Sequence, residues 1–247
     1  MITANLMGRL GNQMFQIAAA TALADRNDDF SCFPTMSRGE GVSLESQKLY
    51  SETVFSKVNF TNDFSWCACQ YNEPRFDYLD IPYRENLILN GYFQSEKYFL
   101  DQKDHIKKLF MPNNQTSEKD ESKVGIHVRR GDYIKLSHVH SNLADKYDYY
   151  QRAMSKFQNK SFVFFSDDIE WCKNRFGPDH EYFKSDNEIK DFYKLASYPN
   201  KIIANSSFSW WAAWLGEEKN SKIIAPLKWF ENKTSTMDLI PERWTRI

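Results

Sequence analysis

Residues 125–132 read Gly-Ile-His-Val-Arg-Arg-Gly-Asp. A short apolar, β-branched run leads into two adjacent arginines, and a glycine and a carboxylate follow at once. The pattern predicts a buried strand over 124–129 that breaks at a turn. Planar guanidinium groups grip phosphate oxygens in a two-pronged fashion. In open α/β sheets ligands bind outside the carboxyl ends of the strands. Arginines fixed there predict a site for a phosphate-bearing ligand. If the strand has two faces, His127 and Arg129 share one and Arg130 takes the other. The arginines then have different tasks: one reaches the ligand, and the other pairs with a carboxylate to hold the loop. Asp132 is the natural partner. The plainer reading is a structural Arg–Asp pair.

Downstream the pattern alternates. Strands are expected over 161–166, 181–183, 201–205 and 222–225, with helices over 146–158, 169–176, 187–197 and 209–216. Continuous apolar runs such as Phe162-Val-Phe-Phe165 and Ile202-Ile-Ala204 suit strands buried on both faces. The alternation predicts a parallel sheet with helices on its faces. Upstream, residues 1–7 read as a strand, Gly8-Arg-Leu-Gly11 as a tight turn, and Asn12 to about Arg26 as an Ala-rich helix. Asn86–Phe93 reads as a further strand and 96–110 as a helix. Residues 30–85 show no clean period. The polar stretch 112–123 holds no large apolar side chain and marks a boundary. The expected domains are therefore 1–115 and 122–247.

Three further clusters are candidates for chemistry. In Gly8-Arg-Leu-Gly11-Asn12-Gln13 the glycines, Gly11 among them, allow close backbone approach, and a helix start offers N–H groups. The alternative is an ordinary turn with Asn12 as N-cap. Phe165-Ser-Asp167-Asp168 ends a strand, where acidic residues often meet ribose or base; Asp168 is equally suited to cap the next helix. Asn205-Ser206-Ser207-Phe208 enters an aromatic helix whose start can hold a diphosphate, while Trp210, Trp211 and Trp214 read as core.

The 247 residues carry a net charge of −1, which gives no polybasic field for nucleic acid. The four cysteines lack zinc spacing and read as free buried thiols. His138-Val-His140 is one isolated pair. Neither a signal peptide nor an apolar run of roughly 20 residues is seen, so the expectation is a soluble cytoplasmic protein with no transmembrane segment. No Asp-x-Asp, Walker or G-x-S-x-G pattern occurs.

Together, Met7-Gly-Arg-Leu-Gly-Asn-Gln-Met-Phe15, His127-Val-Arg-Arg-Gly-Asp-Tyr133, Phe165-Ser-Asp-Asp168 and Asn205-Ser-Ser-Phe-Ser-Trp-Trp-Ala-Ala-Trp-Leu215 resemble the bacterial-type α-1,2-fucosyltransferase family. The first two are also similar to protein O-fucosyltransferases. Ser207 stands where family members often carry Thr, and Ala212 where Gly is common. The resemblance implies an α/β, GT-B-like fold of two Rossmann-type halves facing a central cleft. It implies GDP-β-L-fucose as donor, a galactoside-terminated glycan as acceptor, inversion, and no metal or cofactor. On that reading Arg129 holds the β-phosphate, with Asn12 donating to the same oxygens. Gly11, Ser206, Ser207 and Phe208 bind the diphosphate, and Asp167 or Asp168 meets ribose or guanine. His127 and Asp132 set the arginine geometry and are the candidate bases, and His127 and Arg130 count among the substrate-binding residues.

Overall fold

The computed structural model describes residues 1–35, 42–113, 120–131, 138–145 and 148–247. The chain divides into two compact units, one of residues 1–115 and 235–241, the other of 116–234 and 242–247. The tail thus contributes 235–241 to the first unit, where the sequence reading had assigned all of 122–247 to the second half.

The first unit is a parallel sheet with one central helix. Strands β1 (Ile2–Ala4), β4 (Cys69–Asn72) and β5 (Leu87–Asn90) pair in the order β1-β5-β4, and the short strands β2 (Phe33–Pro34) and β3 (Phe60–Thr61) pair with each other. A parallel bridge from Ile2 to Ser31 joins β1 to the chain entering β2. Helix α1 (Leu10–Asp25) is buried along nearly its whole circumference, as a helix enclosed by protein must be. Its run of alanines allows that close approach. The helix begins two residues earlier than the sequence suggests. Arg9 is its N-cap, without a side-chain cap bond, so Asn12 lies in the first turn and is no cap. Helices α2 (Leu44–Glu52) and α3 (Lys103–Phe110) complete the unit, with two 3-10 turns over Glu96–Tyr98 and Leu100–Gln102 where one continuous helix was expected.

The second unit contains β6 (Lys123–Val128), β7 (Ser161–Ser166), β8 (Glu181–Phe183), β9 (Asn200–Ile202), β10 (Ile223–Ala225) and β11 (Thr245–Arg246). All pairings are parallel, in the order β11-β10-β9-β6-β7-β8. The chain moves outward from β6 to β8 on one side, then returns to build β9 to β11 on the other. Strand order therefore reverses between β6 and β9. Helices α4 (Tyr149–Met154), α5 (Ile169–Phe176), α6 (Glu188–Ser197) and α7 (Ser207–Leu215) make the crossovers. Trp210, Trp211 and Trp214 are fully buried, with Trp210 against Trp244 of the tail at 5.5 Å. Both units are α/β on parallel sheets, as the GT-B-like reading requires.

Candidate functional site

In the second unit the strand ends beside the reversal point carry the arginine and serine clusters. Arg129 and Arg130 follow β6, and Asn205-Ser206-Ser207 lies beyond β9. This is where a doubly wound sheet binds its ligand. Arg129 Nη1 lies 2.9 Å from Asp167 Oδ2, and the side chains are 18% and 27% exposed. Both side chains of the pair are partly exposed.

Arg130 is held quite differently. Its Nε meets Asp168 Oδ2 at 3.2 Å, its Nη1 meets Asp145 at 3.0 Å, and its guanidinium carbon sits 3.8 Å from the centroid of Trp171. Two carboxylates and a ring face fix it, which makes it the structural arginine of the two. The sequence reading named Asp132 as the partner. That residue lies outside the described ones, and the partners seen are Asp167, Asp168 and Asp145.

Both carboxylates after β7 are engaged within the protein. Asp167 accepts from the Arg130 N–H at 3.0 Å. Asp168 caps α5 by accepting from the Trp171 N–H at 3.2 Å. Gly131 packs closely beside them: a Cβ there would lie 2.5 Å from Asp167 Oδ2 and would displace that carboxylate. His127 is buried, its ring 5.2 Å from Phe208. Burial, and then the neighbouring Arg129 charge, push its pKa down to about 3. A neutral imidazole with that pKa is a poor general base at neutral pH, which corrects the reading of His127 as a candidate base. Its backbone carbonyl accepts from the Tyr150 hydroxyl at 3.1 Å.

At the start of α7, Ser206 is the N-cap and is buried, and Ser207 and Phe208 are half-buried. The first N–H groups of a helix have no acceptor within it. Phe208 packs on Phe192 at 5.3 Å. Asn205 is structural: its Nδ2 donates to the carbonyls of Ser141 and Trp229 at 3.0 and 2.9 Å, tying two loops to the helix start.

In the first unit the glycine loop is held by buried amides. Gly8 has φ +71, and a Cβ there would lie 2.4 Å from Asn12 Nδ2. Gln13 Nε2 donates to the Gly8 carbonyl at 2.8 Å, and Gln16 Oε1 accepts from the Met7 N–H at 2.9 Å. Gln94 Nε2 donates to Asn12 Oδ1 at 2.9 Å, which orients the amide so that its N–H groups point away from Gln94. Gly11 is buried in the same helical turn. Asp145, Trp171 and Gln94 were missed from sequence. Only Trp171, one helical turn past its cap Asp168, carried a usable signal.

The sequence model of Glyco_transf_11, glycosyl transferase family 11, matches residues 1–247. The chain belongs to that family. It is a glycosyltransferase. It is 30% identical to an alpha-1,2-colitosyltransferase of Escherichia coli, across 100% of this chain and 98% of that one. It is 26% identical to galactoside alpha-(1,2)-fucosyltransferase 2 of Oryctolagus cuniculus, across 87% of this chain and 67% of the relative. The solved fucosyltransferase NodZ from Bradyrhizobium superposes with a TM-score of 0.43 at 13% identity, over 85% of this chain and 90% of that one. Within the family-matched chain, no helix among the described residues is long and apolar enough to cross a membrane.

Proposed function

We propose that this glycosyltransferase transfers L-fucose from GDP-β-L-fucose to the 2-hydroxyl of a terminal β-galactoside, with inversion and without a metal, on the cytoplasmic side. The observation that carries the reading is a partly exposed guanidinium, Arg129, and a helix start, Ser206–Phe208, on strand ends flanking the reversal point of one sheet. In the reaction the acceptor oxygen bonds to the anomeric carbon as the bond from that carbon to the β-phosphate breaks. GDP leaves with the electron pair, and the proton of the acceptor hydroxyl passes to solvent water. Arg129 and the α7 N–H groups stabilise the charge that builds on the diphosphate. Metal independence is supported by the use already made of the nearby carboxylates. Asp167 is bonded to Arg129, and Asp168 and Asp145 to Arg130.

The linkage is supported by the relatives, whose names share α-1,2 transfer. One relative transfers colitose by name, which favours a second reading in which the donor is the GDP form of that 3-deoxy analogue of fucose. The test is incubation with GDP-fucose and GDP-colitose against a panel of galactosides, followed by linkage analysis of the product. An α-1,2-fucosylated galactoside is expected, and transfer persists in excess EDTA. A different linkage, exclusive use of colitose or strict dependence on a divalent ion overturns the corresponding part of the proposal.

A further inference from the structure

Two loops meet at the carboxyl ends of the paired strands β1 and β5. One is the glycine loop that follows β1, and the other leaves β5 over residues 91–94. Buried amides tie them together. Gln16 accepts from the Met7 N–H through Oε1 at 2.9 Å and donates from Nε2 to the Gly91 carbonyl at 3.1 Å. Gln94 Nε2 donates to Asn12 Oδ1 at 2.9 Å. Gln16 is fully buried and Gln94 is 8% exposed. A buried amide stripped of its partner costs more than the bond itself contributes. Asn12 therefore takes its orientation from the place where the β5 loop sets Gln94.

That loop runs through a costly turn. Phe93 is a fully buried non-glycine residue at φ +51, a conformation that L residues adopt under strain. A side chain from the neighbouring strand holds it there. Glu73 follows β4, and its own N–H continues the ladder by donating to the Asn90 carbonyl at 2.8 Å. Its Oε2 accepts from the Tyr92 N–H at 2.7 Å, and its Oε1 accepts from the Phe93 N–H at 3.0 Å. An ionised carboxylate accepts with both oxygens and donates with neither, which is what two successive N–H groups require. Gly91 permits the approach, since a Cβ there would lie 2.3 Å from that of Glu73. The Phe93 ring is fixed edge-on against Tyr98 at 5.4 Å. The contacts thus run from Glu73 to the backbone of residues 92 and 93, then to Gln94, then to Asn12.

We infer that Glu73 is a positioning residue for transfer: it clamps the β5 loop and, through Gln94, holds the Asn12 amide ready to donate to the diphosphate of the sugar donor. Both Glu73 oxygens already accept from backbone N–H groups, so its part is to orient. The inference rests on the GDP-sugar reading above, with Asn12 as the amide that meets the phosphates.

Calorimetry with GDP tests this without turnover, because GDP carries on its β-phosphate the charge that builds as the donor bond breaks. Wild type, Glu73→Gln, Asn12→Ala and the double variant form a cycle. Glu73→Gln turns one accepting oxygen into a donor that faces an N–H group. It should weaken GDP binding about 10-fold and lower kcat by a similar factor, with the acceptor KM changed less than about two-fold. In the Asn12→Ala chain the same substitution should change GDP affinity by less than about two-fold, because the group it positions is gone. Gln94→Leu leaves the Glu73 clamp in place, and it should show the same loss and the same dependence on Asn12, which keeps the test open if Glu73→Gln does not fold. Equal losses with and without Asn12, or full GDP affinity in Glu73→Gln and Gln94→Leu, overturn the positioning role. An Asn12-dependent loss of GDP affinity in a chain that transfers no fucose overturns the proposed reaction and leaves the positioning role standing. No binding of GDP by the wild-type chain overturns both.

Discussion

Arg129 and Arg130 are neighbours of identical chemistry, and what separates them is what each touches. Arg130 has two carboxylates and an indole face, so its charge is already balanced. Arg129 has a partly exposed pair with Asp167, and in the proposed reaction a diphosphate competes for that guanidinium. Sequence alone predicted that the two would diverge, because successive strand residues face opposite ways. It could not name the partners, since Asp145 and Asp167 arrive from distant loops. His127 belongs to the same account. Its folded pKa of about 3 lies below the roughly 6.5 of an unfolded histidine. Between those values the folded chain binds fewer protons than the unfolded one, so stability rises with pH across that window. The contribution is complete above about pH 6.5 and is lost as pH falls toward 3, at up to about 1.4 kcal/mol per pH unit. Urea unfolding of the wild type and His127→Gln from pH 7 down to pH 4 should show the wild type losing stability more steeply. Parallel curves would show that His127 is not the buried neutral group described.

At the scale of elements, legibility followed length. Strands of six residues, β6 and β7, were read nearly residue for residue, and so was α5. The strands of two to four residues between 33 and 72 were not, because two residues cannot display a period. The edge strand β11 was missed for the same reason. Helix α7 begins two residues before its expected start, since its first turn, Ser207-Phe208, looks like loop in composition while packing as helix. The end of α7 shows how tightly these elements meet. A Cβ on Gly216 would lie 1.8 Å from the Ala196 carbonyl oxygen of α6. Beside it, buried Lys201 donates from Nζ to the Tyr198 carbonyl, a cation at a helix carboxyl end where the dipole favours it. Gly216→Ala must drive the two helix ends apart and should cost about 3 kcal/mol or more, read as a lowered urea midpoint. A midpoint within experimental error of the wild type would mean that the helices do not pack this closely.

Across the whole molecule the polar stretch 112–123 was legible because it lacks apolar residues, but the path of the tail was not. Residues 235–241 fold with the first unit and 242–247 with the second. Asp238 makes the first attachment, accepting from Lys97 Nζ at 2.6 Å and from the Tyr78 N–H at 3.0 Å. Lys97 is 43% exposed, so solvent screens that bond, and the two bonds together contribute about 2 kcal/mol. Asp238→Ala should therefore lower the stability of the first unit by about 2 kcal/mol, seen as faster proteolysis within residues 1–113, and unchanged cleavage there would contradict the attachment. Trp244 and β11 make the second attachment, to a core no local motif predicted. In the proposed reaction a protein cation, at the reversal point of one sheet, carries the charge of the departing nucleotide. The most direct measurement is kcat for transfer from GDP-fucose by Arg129→Lys, with and without EDTA, beside a wild-type control of equal Tm. The account predicts a loss of roughly 10²–10³-fold that neither chelator nor added metal alters. Near-normal turnover by Arg129→Lys, or restoration of its activity by a divalent ion, would contradict it.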